Sequence, residues 1–382
     1  MKISTLIIFI TLFLLSVSCR KEPPTNSPSP TSCDSPPGNR NFTWRTDTIA
    51  WWPSEVGGVW AFSDNDAWVV GNLHGPTVPG QTSYIALHWN GTEWKDTIQF
   101  TDVFAIPNDV TGDNRYMVAA GYLLYVGEKP AIAEFDNSTK KWSGYQFQTP
   151  GVLYSVWTDK NGFFIAVGDS GMVYTKDGYS SQWVYSKAPT NFTFNHVNGV
   201  SKTEIYASGY SSLASGSDYE QYWKYDGIKW SKLFDNQDTV ENVISLPGDY
   251  SVLTDINAYR CSATDSLQLY LGGFDSFLLQ SKGQSLNFAA TNLSSLGLPF
   301  HSFGSVALVI NIFSPNDVWF CSARYESYQW NGSTFQQIII PGIPPPESGF
   351  GAISRIVKTS NGKAFFSNEV SPQVYVVAQG TP

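Results

Sequence analysis

Few side chains in this 382-residue chain could carry chemistry. The histidines are His74, His88, His196 and His301, and the cysteines are Cys19, Cys33, Cys261 and Cys321. No two histidines stand at metal-ligand spacing and no cysteine cluster joins them, so no metal site is expected. No Gly-x-Ser-x-Gly elbow is present to activate a serine nucleophile. Glycoside hydrolysis needs only two facing carboxylates, which can come from distant positions; Asp218, Glu220, Asp275 and Glu347 are the acids to inspect. A lone acid on a surface loop is more often solvated than catalytic. The aromatic residues suggest binding instead. In "AWWPSE" (50–55), Trp51 and Trp52 can stack on a sugar ring or anchor a protein partner. They can equally cover a core where the chain enters it. His74, Tyr210, Tyr219, Phe300 and His301 lie in or beside other long loops and complete the candidate binding set. No catalytic residue and no cofactor is assigned.

The background composition matches a protein built of strands. There are 14 Trp, 20 Tyr, 24 Phe and 32 Gly, but only 14% of residues are charged. Aromatics with many glycines and few charges favour β structure, and no stretch sustains a 3.6-residue apolar period. The net charge of −9 opposes binding to phosphate backbones, so nucleic acid is not an expected partner.

The strands recur. "NDAWVVG" (65–71) is a short apolar run ending in a small residue. It returns as "NRYMVAAG" (114–121), "NGFFIAVG" (161–168), "TEIYASG" (203–209), "SLQLYLGG" (266–273), "NDVWFCSA" (316–323) and "NGKAFFSN" (361–368). Each copy follows another apolar stretch. Most are followed by a hairpin of the "HWNGTEW" (88–94) type, where Asn-Gly or Asp-Gly supplies the positive φ of a tight turn. Four-stranded units at this spacing predict an all-β, seven-bladed β-propeller over 41–382, or six blades if the weakly marked fifth unit is not a blade. The last unit is one strand short, while "NFTWRTDTI" (41–49) is a strand without a unit. Residues 42–49 should therefore complete the last blade and close the ring. Asp66, Asn90, Gly91, Asp177 and Asp317 are expected to shape turns, and His88 to pack.

The pattern Ser-x-Asn-Asp-x-Trp followed by His-Trp-Asn-Gly-Thr-x-Trp, at 63–94 and again near 314–335, resembles a family of bacterial secreted β-propeller repeat lipoproteins. "TKDGYSSQW" (175–183) looks like a degenerate Asp-box, the turn of sialidases and of the photosystem II assembly factor. The resemblance implies a fold and little about function, because propellers host unrelated activities. A sialidase would need three arginines and a Tyr/Glu pair. The repeats offer only Arg115, Arg260, Arg324 and Arg355, without a Phe-Arg-Ile-Pro motif.

The N-terminus adds a location. Residues 1–18 have Lys2, an apolar run from Leu6 to Leu15 and small residues before Cys19, the form of a signal peptide. Ser16 and Ser18 before Cys19 resemble a bacterial lipoprotein signal, although that family usually has Leu where Ser16 stands. The resemblance implies lipidation of Cys19 and, without Asp next to it, an outer-membrane address. Residues 19–40 are rich in Pro and Ser and form an extended tether that reaches roughly 60 Å. Of the remaining cysteines, Cys261 and Cys321 could pair, but two buried thiols is the favoured reading. The expectation is a monomeric, membrane-tethered, non-catalytic module of the cell envelope that binds a protein or glycan with its long-loop face. The alternative is a glycosidase or lyase on the same scaffold.

Overall fold

The computed structural model describes residues 36–75, 83–99, 105–123, 128–212, 218–235, 255–261, 264–272, 277–282, 289–298, 307–322, 326–343, 353–371 and 374–382. Five four-stranded antiparallel sheets are separate, and a sixth sheet has seven strands. The seven-stranded sheet is two blades sharing one strand, Thr43–Ser63. Its first part, Thr43–Trp51, pairs with Val374–Thr381 as the outermost strand of blade 7. Its second part, Trp51–Ser63, pairs with Asp66–His74 as the innermost strand of blade 1. The orphan strand closes the ring as the strand count predicted, and the described residues form seven four-stranded units.

The other innermost strands are Ile106–Gly112, Leu153–Thr158, Thr193–Ser201, Asp255–Cys261, Ala307–Ser314 and Ile353–Lys358, in blades 2 to 7. Each contacts its neighbours on both sides, and Ile353–Lys358 contacts Thr43–Ser63. The seven repeated runs are the second strands. All six residues of Phe163–Gly168 are buried, because each sheet lies between two others and both of its faces are dry. Apolar clusters fill the blade junctions. Trp68 meets Phe135 and Trp142 between blades 1 and 2, and Trp319 meets Phe366 between blades 6 and 7.

The small residue that ends these runs has a steric cause. A Cβ on Gly121 would lie 1.8 Å from the carbonyl oxygen of Ile106, and one on Gly168 would lie 1.9 Å from that of Val152. The innermost strand passes too close for any side chain. Gly121→Ala should therefore destabilise the domain by about 1–3 kcal/mol, read as a lower denaturation midpoint.

The Asn-Gly turns behave as expected. Gly91 and Gly332 have φ of 97° and 91°, and the side-chain oxygens of Asn90 and Asn331 accept from the backbone N–H groups two and three residues on. The aspartates do something else. Asp66 binds His88 of its own blade and Lys140 of blade 2, Asp177 binds Lys202 of blade 4, and Asp317 binds Lys358 of blade 7. A charge at the rim of one blade reaches the next blade more readily than its own turn. His88 also stacks on Trp68, with 4.4 Å between ring centroids.

The junction of blades 4 and 5 is similar: Arg260 Nε donates to Glu204 Oε2 at 2.7 Å. Burial acts to raise the Glu204 pKa, but hydrogen bonds from Arg260 and Tyr206 more than offset this and hold it below the usual value. A depressed carboxylate stabilises the fold above its unfolded pKa of about 4.3, and that contribution is lost as pH falls through the folded value. Glu204→Gln should therefore flatten the loss of stability below about pH 4, measured by urea unfolding across that range.

Cys321 is a buried free thiol, so it does not pair with Cys261. Cys261 is disulfide-bonded, which corrects the expectation of two buried thiols. Burial pushes the Cys321 pKa up to about 12. Iodoacetamide at pH 8 should label Cys321 only after unfolding.

Candidate functional site

Strand direction gives the ring two unlike sides. Tight turns such as 63–66, 89–94 and 330–335 lie on one side, and the strand ends His74, Ser212 and Asn292, from which the longer connections depart, lie on the other. The N-terminal segment enters on the short-turn side. Gly38 N donates to Asn316 O at 2.9 Å, and Arg40 donates to the carbonyls of Gln329 and Thr334 at 2.9 and 2.5 Å.

Trp51 and Trp52 lie on the long-loop side, where Thr43–Ser63 passes from blade 7 to blade 1. Trp51 is opposite both Val374 and His74. The register slips between Trp51 and Glu55, and Ser54 holds the irregularity: its Oγ donates to Trp51 O and accepts from His74 N at 2.8 Å. Trp51 is 46% exposed and Trp52 67%. These indoles face solvent and do not seal the core. His74 shares their junction. Tyr210 is exposed at the end of its strand in blade 4, across the axis from them. The structure thus brings together Trp51, Trp52 and His74, but not Tyr210. The side chain of Tyr219, together with Phe300 and His301, lies outside the described residues.

Tyr154 was not read from the sequence. It lines the upper end of the axial channel near Tyr210. Burial first, then the charge of Asp169 and the nearby Tyr210 and Glu128, push its phenol up to about 12. Its place in "LYSVWT" made it look like an ordinary strand residue.

The channel also contains acids that the sequence did not single out. Asp109 and Asp255 are buried and line the same cavity of about 160 Å³. Each holds a backbone amide of the next blade through its Oδ2. Asp109 Oδ2 accepts from Ser155 Oγ and Val156 N, both at 2.9 Å, while Oδ1 accepts from Val110 N and pairs with Arg355. Asp255 Oδ2 accepts from Ile310 N, and Oδ1 lies 2.5 Å from His196 Nε2, outside hydrogen-bond alignment. Ser155 Oγ accepts from Val197 N, and Asn198 Oδ1 accepts from Ala258 N. These bonds form a chain from blade 2 to blade 6, each innermost strand holding an amide of the next. The carboxylates serve as clasps here. Of the acids read from sequence, Glu220 is buried in the third strand of blade 4, the Asp218 side chain is not described, and Asp275 and Glu347 lie outside the described residues. No group of three His, Cys, Asp or Glu among the described residues could hold a metal.

The fold and this two-sided geometry define a β-propeller. No family model matches the chain, and no curated protein matches it. Solved structures do. A structure described as YCF48 bound to D1 peptide aligns with 94% of this chain and 99% of its own, at 12% identity and a TM-score of 0.59. YCF48 from Cyanidioschyzon merolae aligns with 87% of this chain and 98% of its own, at 13% identity and a TM-score of 0.51. The WD40 β-propeller domain of Doa1 aligns with 87% of this chain and 96% of its own, at 13% identity and a TM-score of 0.52. At such identities the likeness is one of fold.

Proposed function

We propose that this protein is a non-catalytic binding module, tethered to the cell envelope through Cys19, that takes a polypeptide partner on the side carrying Trp51 and Trp52. One observation carries the reading: two adjacent indoles stand in solvent at the strand crossing. Exposed tryptophans cost solvation, and at interfaces they are the residues most often found as anchors. The N-terminal segment docks on the opposite side, so an N-terminal anchor leaves this side turned away from the membrane. A propeller of the same fold was solved with a bound peptide, which supports a polypeptide over a glycan. The alternative of a glycosidase is disfavoured by the engagement of Asp109 and Asp255 in backbone clasps.

The test is affinity purification of the tagged protein from solubilised native membranes. A stoichiometric protein should follow it, and should be lost from the Trp51→Ala/Trp52→Ala variant. Recovery of the same partner with that variant would refute the reading. The anchor is tested separately. Cys19→Ser should move the protein out of the membrane fraction, and retention there would refute lipidation.

A further inference from the structure

The axial channel has a second chamber below the clasps. Its volume is about 270 Å³. It shares Asn198, Asn257, Asn311 and Arg355 with the upper chamber, so these four form a waist between the two. Ligand sites for drug-sized molecules usually run to about 300–1,000 Å³, so an occupant here is small.

The polar groups of this chamber are unbalanced towards donors. Asn257 is 6% exposed; its Oδ1 accepts from Asn198 Nδ2 at 2.8 Å, but its Nδ2 has no partner. Asn311 Nδ2 and Trp60 Nε1 are likewise buried without a partner. Buried donors without acceptors are rare and costly, at about 1–3 kcal/mol each. The charges point the same way. In a chain of net charge −9, the lining holds Lys160, Arg355 and Lys358. Its one carboxylate among the described residues, Asp159, already accepts from the N–H groups of Asn161 and Phe163. Arg355 is paired with Asp109 and Lys358 with Asp317, but no described residue pairs with the Lys160 ammonium. Lys160 is exposed to solvent on its turn, while crowding of its amine by the chain lowers its pKa. The remaining wall is apolar, with Trp157 and Phe313 beside Ile312 and Val357.

We infer that the lower chamber binds a small organic carboxylate with an apolar body, its charge held by Lys160, Asn257 and Asn311 and its body against Trp60, Trp157 and Phe313. An oxyanion supplies the acceptors that these donors lack, and the aromatic walls favour a phenyl or branched alkyl group. This site is on the opposite side of the waist from Trp51 and Trp52 and does not depend on the partner-binding reading.

The probes are phenylacetate, 4-methylpentanoate and the uncharged phenylacetamide, titrated into the full-length protein. Tryptophan fluorescence reports on Trp60 and Trp157, and saturation-transfer NMR reports on the probe. At least one acid should bind saturably, about tenfold or more tighter than the amide. Lys160→Gln, on an exposed turn, should weaken acid binding about tenfold and leave the amide unchanged, while Lys160→Arg should retain binding. Asn311→Ala should weaken it independently. The Trp51→Ala/Trp52→Ala variant should bind the acid like the parent, which separates this result from failure of the partner reading. Equal binding of acid and amide would overturn the inference. So would undiminished binding by a folded Lys160→Gln variant, or no saturable signal from either acid at millimolar concentration.

Discussion

Deleting residues 41–51 should abolish the cooperative unfolding transition of the whole ring. The deletion removes the outermost strand of blade 7 and severs its continuity with blade 1. Trp44 packs edge-on to Phe366 with 5.3 Å between ring centroids, and Ile49 is fully buried. Loss of a large core side chain costs about 2–5 kcal/mol, and here two go together with a full ladder of strand pairing. The total exceeds much of the 5–15 kcal/mol that typically holds a domain folded. Two unpaired sheet edges would remain, so aggregation should accompany the loss. Thermal unfolding followed by circular dichroism measures it; an unchanged transition would refute closure by this strand. Trp44→Ala is the milder version, expected to cost about 3 kcal/mol.

The second large effect is expected at the junction of blades 2 and 3. Lys176 is 2% exposed and Glu134 4%. The Lys176 Nζ lies 2.8 and 2.7 Å from the two Glu134 oxygens, and Trp183 Nε1 donates to the same carboxylate at 2.6 Å. Lys176→Met leaves a buried carboxylate with no cation, which should cost about 3–5 kcal/mol in urea unfolding. Converting Glu134 to Gln as well keeps an acceptor for Trp183 and removes the orphan charge. The double variant should therefore recover most of the loss. If the two changes simply add, the pair is not coupled and its assignment is wrong.

Legibility from sequence followed the range of the interactions. All seven second strands and most of their hairpins were readable, because a buried strand and its Asn-Gly turn are local signals. The closing strand was readable through a deficit: one unit lacked a strand and one strand lacked a unit. Asp109 and Asp255 were missed because they lie in short runs that read as apolar. Their partners, Val156 and Ile310, are about fifty residues away, brought close only by the ring. A polar residue recurring in the first strand of successive repeats, as in "PNDV", "TDIN" and "INIF", was the available signal. The roles of Asp66, Asp177 and Asp317 were misread for the same reason: a turn is local, whereas the clasp to the next blade is not. The Cys261 disulfide was not legible at all, since pairing depends on a distance that spacing does not encode. Trp51 and Trp52 were visible as unusual residues, but their exposure depends on the strand crossing.

The most direct test of the central claim is site-specific photocrosslinking in cells. A benzophenone amino acid is placed at position 52, and in a second protein at position 228, where Ile228 is 89% exposed in a short turn of the opposite side. The account predicts a discrete adduct with one envelope protein from position 52 and none from position 228. Equal adducts from both positions, or an adduct from position 228 alone, would contradict it.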